Sequence, residues 1–134
     1  MPSNDGELQQ ALGYSFRDSA LLTRALTHSS HVNEAVQQLP ATGEAVPLSD
    51  NERLEFLGDR VLGLAVSAML YDKLPKSDEG DLSRRLAALV RKETCADVAR
   101  VMDLGPSLKL GNSEAHAGGR LRATILADAC EALV

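Results

Sequence analysis

The sequence predicts an all-α domain, on three observations. Apolar residues recur three and four positions apart in several segments, as on one face of a helix. Residues that start or end helices bound these segments, and no run of alternating apolar and polar residues indicates a strand. The 134 residues have an ordinary globular composition and the size of one domain, residues 1–134.

The first part of the chain predicts two short helices and a loop. Residues 9–12 form the first helix, which Gly13 ends, and Asp18 caps the second. Residues 31–49 then predict a loop, and 33–50 is expected to be mobile because it contains helix-breaking residues among small and polar ones. The breakers are Pro40, Gly43 and Pro47.

A long helix follows, capped by Asp50 and running to about Asp72 before Pro75 closes it off. Apolar residues lie nearly all round its second half, residues 60–70. Such a helix is typically buried, so we expect it to be the central helix of the domain.

The last part of the chain predicts three more helices. Ser77 or Asp78 caps the first of them, and residues 93–102 form the second. Glycines and a proline predict a loop with short turns over 103–119, and the last helix begins near Arg122.

Acidic side chains lie on one face of two apolar helices. Glu52, Glu55 and Asp59 share a stripe of the long helix, and Asp128 and Glu131 share a face of the last one. Carboxylates among apolar residues need a compensating partner. If the two helices pack together, four or five carboxylates converge, and oxygen ligands of this kind suit hard cations such as magnesium or manganese.

A structural explanation of each acid stays open beside the metal site. Glu52 and Asp50 lie at a helix start, where the helix dipole favours negative charge. Glu55 could instead pair with Arg60 on the surface.

Four ordered motifs resemble those of the ribonuclease III family of double-stranded-RNA endonucleases. Residues 52–59 read ERLEFLGD and resemble the family's signature, and 26–30 read LTHSS and resemble the short element before it. Residues 78–83 resemble the downstream acidic turn, and Gly118-Gly119 with residues 125–133 resembles the closing motif. The resemblance spans residues 8–134 and implies a helical bundle of the ribonuclease III endonuclease type around the long helix.

The resemblance implies roles for individual residues. It makes Glu55, Asp59, Asp128 and Glu131 ligands of Mg²⁺, with Mn²⁺ as a substitute. Of these, Asp59 and Glu131 are also catalytic, with supporting acids nearby and an aromatic residue at a dimer interface. The supporting acids are Glu52 and Glu79, and the aromatic residue is Phe56.

The implied function is hydrolysis of double-stranded RNA by a homodimer that leaves 5′ phosphates and 3′ hydroxyls. Processing of ribosomal RNA precursors and other RNAs in the cytoplasm is the expected setting. By the same resemblance, relatives are assisted by a C-terminal double-stranded-RNA-binding domain, which we do not expect within residues 1–134. We expect the last helix to be truncated at Val134, since no cap or breaker follows it.

The net charge of −5 disfavours RNA binding at first sight. At least five of the nineteen acids belong to the predicted metal site, which leaves the remainder nearly neutral. Lys109, Arg120 and Arg122 frame the glycine-rich loop before Asp128 and are the phosphate-contact candidates. Four other basic residues are expected on a solvated, mixed-charge face. These are Arg84, Arg85, Arg91 and Lys92.

Further features exclude some classes of protein. No apolar run is long enough to span a membrane, and the N-terminus lacks the regions of a signal peptide. Cys95 and Cys130 predict buried thiols of a reducing compartment rather than a disulfide. His28 predicts a hydrogen-bonded structural histidine.

Two other classes of function stay open. One is a family member that has lost activity and serves as a dimerisation or RNA-docking module. The other is a di-iron helical bundle, which needs Glu-x-x-His pairs that the two acidic helices lack.

Overall fold

A computed structural model of the chain, which describes residues 4–39, 41, 43 and 48–134, confirms the all-α fold. Within that part of the chain Thr27 and Lys109 form an isolated bridge, and no strand is present. The α-helices are α1 (Asp5–Leu12), α2 (Ser19–Ala25), α3 (Ser29–Gln37), α4 (Glu52–Lys73), α5 (Glu79–Val90), α6 (Lys92–Val101), α7 (Asn112–His116) and α8 (Ala123–Leu133). Single 3₁₀ turns cover Gly105–Ser107 and Gly119–Leu121.

Most of the predicted helix ends are confirmed by local hydrogen bonds. The carboxylate of Asp18 accepts from the Ala20 N–H at 2.9 Å, and that of Asp78 accepts from the Asp81 N–H at 2.8 Å. Gly13 ends α1 in the left-handed conformation that glycine adopts without strain. At α4 the capping residue is Asn51 rather than Asp50, although the Asp50 carboxylate still accepts from the Glu52 N–H.

The loop predicted over 31–49 begins later than expected, because α3 occupies its first part. His28 caps this helix through Nδ1, which accepts from the Ser30 N–H at 3.1 Å and confirms its structural role. None of the residues of α3 is buried, and its apolar residues Val32, Ala35 and Val36 form only a short stripe before the helix-breaking residues that predicted a loop. Pro40 and Pro47 lie outside the described residues.

The centre of the domain is α8. It packs against α6 on one side and α4 on the other, and seven of its residues are buried. Leu26, Leu104 and Leu126 are the largest fully buried apolar side chains of the core that surrounds it. α4 packs in turn against α5.

The prediction that α4 is buried nearly all round was wrong for the single chain. Only Gly58 and Leu70 of this helix are buried. Phe56, Leu57 and Leu64 are each more than half exposed. Because α4 contacts only α8 and α5 extensively, its remaining apolar face is left on the surface.

Backbone hydrogen bonds join residues 26–28, which follow α2, both to Lys109 and to the start of α4. The Lys109 N–H donates to the Leu26 carbonyl at 2.8 Å, and the His28 N–H donates to the Lys109 carbonyl at 3.0 Å. The Asn51 N–H donates to the Thr27 carbonyl at 2.9 Å. The segment after α2 thus fixes the beginning of α4 relative to the loop that leads into α8. Among the described residues, no helix has the length and apolar character needed to cross a bilayer.

Candidate metal and catalytic site

Three of the predicted acids converge on one ammonium group. Nζ of Lys92 lies 2.8 Å from Glu55 Oε1, 2.5 Å from Asp128 Oδ1 and 3.4 Å from a carboxylate oxygen of Glu131. Glu55 comes from α4, Asp128 and Glu131 come from α8, and Lys92 is the first residue of α6. The meeting of the two acidic helix faces, predicted from their spacing, is therefore present.

The crossing of α4 and α8 explains why these acids meet. A Cβ added at Gly58 would lie only 1.7 Å from the backbone carbonyl oxygen of Glu131, so the two helices touch backbone to backbone at this point. Glu55 is three residues before Gly58, and Asp128 is three residues before Glu131. On a helix that spacing places side chains one turn along the same face, so both acids sit one turn from the contact.

Burial and charge give the acids different ionisation behaviour. Glu131 is only 1% exposed, and its burial, together with a hydrogen bond to Glu55, raises its pKa to about 7 despite the attraction of Lys92. The hydrogen bond from Lys92 outweighs partial burial at Glu55 and holds the pKa of that carboxyl below its ordinary value. For Lys92 itself, burial lowers the pKa, but the bonds to Asp128 and Glu55 prevail and raise it.

The fourth predicted ligand, Asp59, has another partner in this arrangement. Its carboxylate is ion-paired with the neighbouring Arg60, and both side chains are partly exposed. The guanidinium of Arg60 also lies 5.2 Å from the ring centroid of Phe56. The role of Asp59 as a metal ligand stays a prediction.

The two supporting acids lie at helix starts. Glu52 is the first residue of α4 and is exposed, and Glu79 is the first residue of α5. The carboxylate of Glu79 accepts from the Ser83 hydroxyl at 2.9 Å. Their catalytic roles also stay predictions.

The donor set fits a hard divalent cation in its chemistry. Three carboxylates from two helices already surround one cationic nitrogen, and carboxylate oxygens are the ligands that Mg²⁺ takes from proteins. The side chains are not pre-arranged as a metal cage, since no group of three or more acidic, histidine or cysteine residues in the described ranges is positioned to hold an ion.

Two of the three predicted RNA contacts have structural partners. The guanidinium of Arg120 donates to the Gly105 carbonyl at 3.1 Å and to the Leu108 carbonyl at 2.6 Å, so it fastens the loop before α7. Arg122 is ion-paired with Glu114 at 2.5 Å. The backbone of Lys109 forms the bridge to Thr27, and its side chain is partly exposed.

Lys92 is the site residue that sequence reasoning missed. The acids near it in the sequence predicted a solvated, mixed-charge face, whereas Lys92 lies at the centre of the acidic cluster. One signal was available: a lysine that opens a helix faces the positive end of the helix dipole, which disfavours it. A lysine at this position is therefore expected to be stabilised by acidic side chains from other helices.

The surface of α4 beside the site is apolar. The side chain of Phe56 is 63% exposed. A cavity of about 210 Å³ opens nearby between α4, the region of Phe16 and the end of α8. Its apolar lining includes Phe16, Leu21, Leu54, Leu57, Val61 and Leu133.

The two cysteines are free and buried, as predicted. Burial, with the nearby Cys130 as a smaller cause, raises the pKa of the Cys95 thiol to about 11. Both groups are therefore held as neutral thiols in the core between α6 and α8.

Comparison with known proteins gives a consistent result. Residues 18–134 match the family model described as Ribonuclease-III-like. The chain is 52% identical over 127 residues to Ribonuclease 3 of Rhodopseudomonas palustris, covering 95% of the chain and 43% of the relative. It is 54% identical over 127 residues to Ribonuclease 3 of Azorhizobium caulinodans, covering 95% and 50%. The chain thus spans about half the length of these curated relatives.

Solved structures agree with the sequence relatives. A crystal structure of the nuclease domain of ribonuclease III from Campylobacter jejuni matches with a TM-score of 0.81 and 40% identity, covering 99% of this chain and 80% of that one. A second structure of that domain matches with a TM-score of 0.79 and 40% identity, covering 95% and 79%. It is described as showing structural flexibility in the region involved in dimer formation.

Proposed function

The chain belongs to the ribonuclease III family, and from this premise we propose that it is a magnesium-dependent endoribonuclease domain that cleaves double-stranded RNA. The observation that carries the proposal is the convergence of Glu55, Asp128 and Glu131 from two helices on one cationic centre. In the proposed reaction the products carry 5′ phosphates and 3′ hydroxyls. The proposed setting is processing of ribosomal RNA precursors and other RNAs in the cytoplasm.

Glu55, Asp128 and Glu131 would hold the Mg²⁺, with Asp59 as a fourth ligand after release from Arg60. When bound, the ion supplies a water of lowered pKa as nucleophile and neutralises charge on the scissile phosphate. The residues of the chain fix the donors in place. The side chain of Glu131 is buried, whereas those of Glu55 and Asp128 are partly exposed at the solvent side of the cluster.

The exposed apolar surface of α4 supports activity as a homodimer. An exposed Phe56 beside an apolar cavity is unfavourable in a monomer, because water contacts both. A two-fold interface brings the same patch of each copy together, so the ring of one protomer can enter the cavity of the other. The two metal sites would then lie symmetrically about that axis, one for each RNA strand.

The charge of the chain supports one mode of RNA recognition over others. The net charge of −5 and the structural partners of Arg120 and Arg122 leave little basic surface for phosphates. We therefore propose weak, salt-sensitive contact with A-form RNA through its shape and 2′-hydroxyls. Arg122, whose side chain is 47% exposed beside Glu114, is the most accessible of the three candidate contacts.

The direct test is incubation of a long RNA duplex with the purified chain in Mg²⁺, in Ca²⁺ and in chelator. We expect cleavage in Mg²⁺ alone, with ends that accept ligation as 5′ phosphates. Glu131→Gln should abolish cleavage, whereas the control Glu93→Gln, on the exposed start of α6, should not. Cleavage that survives chelation would contradict the metal mechanism.

A second candidate function is an inactive dimerisation or RNA-docking module. The observation in its favour is that Lys92 neutralises part of the acidic cluster. In that case the duplex would be bound but left intact in Mg²⁺ by a protein that is folded and dimeric. Sedimentation and a binding assay on the same sample distinguish this outcome from a failed preparation.

A further inference from the structure

We propose that Lys92 is a positioning residue that occupies the cation position of the acidic cluster and must leave it when a divalent metal binds. This inference rests on the proposed function, because it takes Glu55, Asp128 and Glu131 as the metal ligands. Lys92 then keeps the three carboxylates gathered around one centre and, by competing with the ion, sets how much Mg²⁺ the domain requires.

Geometry supports the competition. One Nζ contacts oxygens of all three carboxylates, at 2.8 Å, 2.5 Å and 3.4 Å. These oxygens are the donors that a hard cation would use. An ammonium and a metal ion cannot share one centre, so a bound ion has to displace the lysine from at least part of this set.

Charge balance supports the holding role. The cluster contains three carboxylates and one ammonium, and one of the acids, Glu131, is only 1% exposed. Like charges brought together out of water repel strongly unless a counter-charge lies between them. Without Lys92, the carboxylates of Glu55 and Asp128 would swing toward solvent and the buried Glu131 would lose its only cationic partner among the described residues.

The local structure allows the Lys92 side chain to leave the acidic cluster. Lys92 opens α6 directly after Arg91, whose extended backbone turns the chain from α5 into α6. Its side chain is 48% exposed. The ammonium can therefore rotate from the cluster into solvent without disturbing the core, and the dipole at the start of α6 does not hold it.

The test compares the full chain with Lys92→Met, which keeps the length of the side chain and removes the charge. Lys92→Arg is the conservative variant, and Arg91→Met is the matched control that removes a charge one residue away. Mg²⁺ binding is measured by calorimetry, and thermal unfolding is followed in chelator and in saturating Mg²⁺.

Lys92→Met should bind Mg²⁺ about tenfold more tightly than the wild type, because the ion no longer breaks charge-assisted hydrogen bonds. Its unfolding temperature should be lower in chelator and should recover in Mg²⁺. Lys92→Arg should restore near-wild-type stability in chelator, and Arg91→Met should match the wild type in both measurements. Equal Mg²⁺ affinities for Lys92→Met and the wild type would overturn the proposal.

A measurement on the wild type keeps the proposal testable should Lys92→Met fail to fold. The ¹⁵N signal of a hydrogen-bonded lysine ammonium, assigned through Lys92→Arg, should be present in chelator and should shift or vanish in saturating Mg²⁺. An unchanged signal at saturation would overturn the proposal. If neither the wild type nor the folded variant binds Mg²⁺, the metal site of the proposed function is wrong and this inference falls with it.

Discussion

Replacing Gly58 with alanine should force α4 and α8 apart at the point where the acidic site is assembled. The added Cβ would lie 1.7 Å from the Glu131 carbonyl oxygen, whereas real Cβ atoms essentially never approach closer than 3.0 Å. The two backbones must therefore separate by roughly 1.3 Å, the difference between those distances. No flexible side chain can absorb the clash, because the atoms in contact belong to the backbones of two packed helices.

The energy can be estimated from two opposing effects. Overpacking of a tight core costs about 1–3 kcal/mol, and a contact between backbones belongs at the upper end. Alanine is better than glycine inside a helix by about 1 kcal/mol. The net loss of stability is then about 2 kcal/mol, which lowers the unfolding temperature of a domain of this size by roughly 8 °C.

The same displacement should affect the site more strongly than the fold. Glu131 moves with its backbone, while Glu55 stays on α4, so their shared arrangement around Lys92 is lost. A displacement of about 1 Å in a catalytic arrangement can cost roughly 100-fold in rate. We expect a loss of cleavage of that order at temperatures where the variant is still folded.

Thermal unfolding and duplex cleavage of Gly58→Ala are the two assays, and Gly63→Ala and Gly6→Ala are the controls. Both control positions are helical, and nothing lies within 4 Å of an added Cβ at either one. These variants should be unchanged or slightly stabilised. If Gly58→Ala is as stable and as active as the controls, the contact between α4 and α8 does not determine the site.

Three further predictions concern single residues. Asn51→Ala should lower the free energy of unfolding by about 1–3 kcal/mol, because the buried Asn51 amide donates to the last carbonyl of α2 at 3.0 Å. The control Asn112→Ala, at an exposed position, should change it little. Equal denaturation midpoints for the two variants would refute the prediction. Arg120→Met should lower the free energy of unfolding, since the Arg120 guanidinium donates to two backbone carbonyls, and should leave duplex affinity nearly unchanged. Unchanged stability with weaker duplex binding would instead support its predicted role as an RNA contact. In chelator, the raised pKa of Glu131, about 7 against an ordinary 4.5, contributes stability that is complete below about pH 4.5 and is lost as pH rises through 7. The loss approaches roughly 3 kcal/mol. Glu131→Gln should lack this decline, and a flat wild-type profile of unfolding free energy against pH would count against it.

Local signals made most of the fold predictable. Asp18 and Asp78 cap helices because a carboxylate just before a helix can accept from its free N–H groups, which depends on the nearest residues alone. Gly13 ends α1 for an equally local reason. The helix α3 was missed although Val32, Ala35 and Val36 have helical spacing, because this stripe is short and the helix-breaking residues that follow it favoured a loop.

Predictions of burial depend on packing, and there the sequence was ambiguous. The apolar face of α4 predicted a central helix, yet Phe56 and Leu64 are exposed in a single chain. A hydrophobic residue shows that a surface is to be covered and does not show whether the cover comes from the same chain or from another. The helix that is buried within the single chain is instead α8, which contains Asp128 and Glu131.

The acids of the site were predictable as a set, and the cation between them was not. Helical spacing fixed which acids share a face of α4 and which share a face of α8, whereas the choice of Glu55, Asp128 and Glu131 as common ligands came from the family resemblance. Lys92 belongs to a third helix, and its approach depends on how α6 packs against α8. No spacing rule within one helix contains that information.

The contact between α4 and α8 belongs both to the core of the domain and to the acidic site. Glu131 serves both, because its backbone touches Gly58 and its carboxylate is buried within the cluster. Substitutions there must disturb folding and chemistry together. The side chains of Asp128 and Lys92 reach solvent from the same cluster, being 40% and 48% exposed, so changes at these positions can alter cation binding while the core stays packed. Variation in metal requirement among otherwise stable variants should therefore arise at the edge of the cluster, and combined losses of stability and activity should arise at the crossing of α4 and α8.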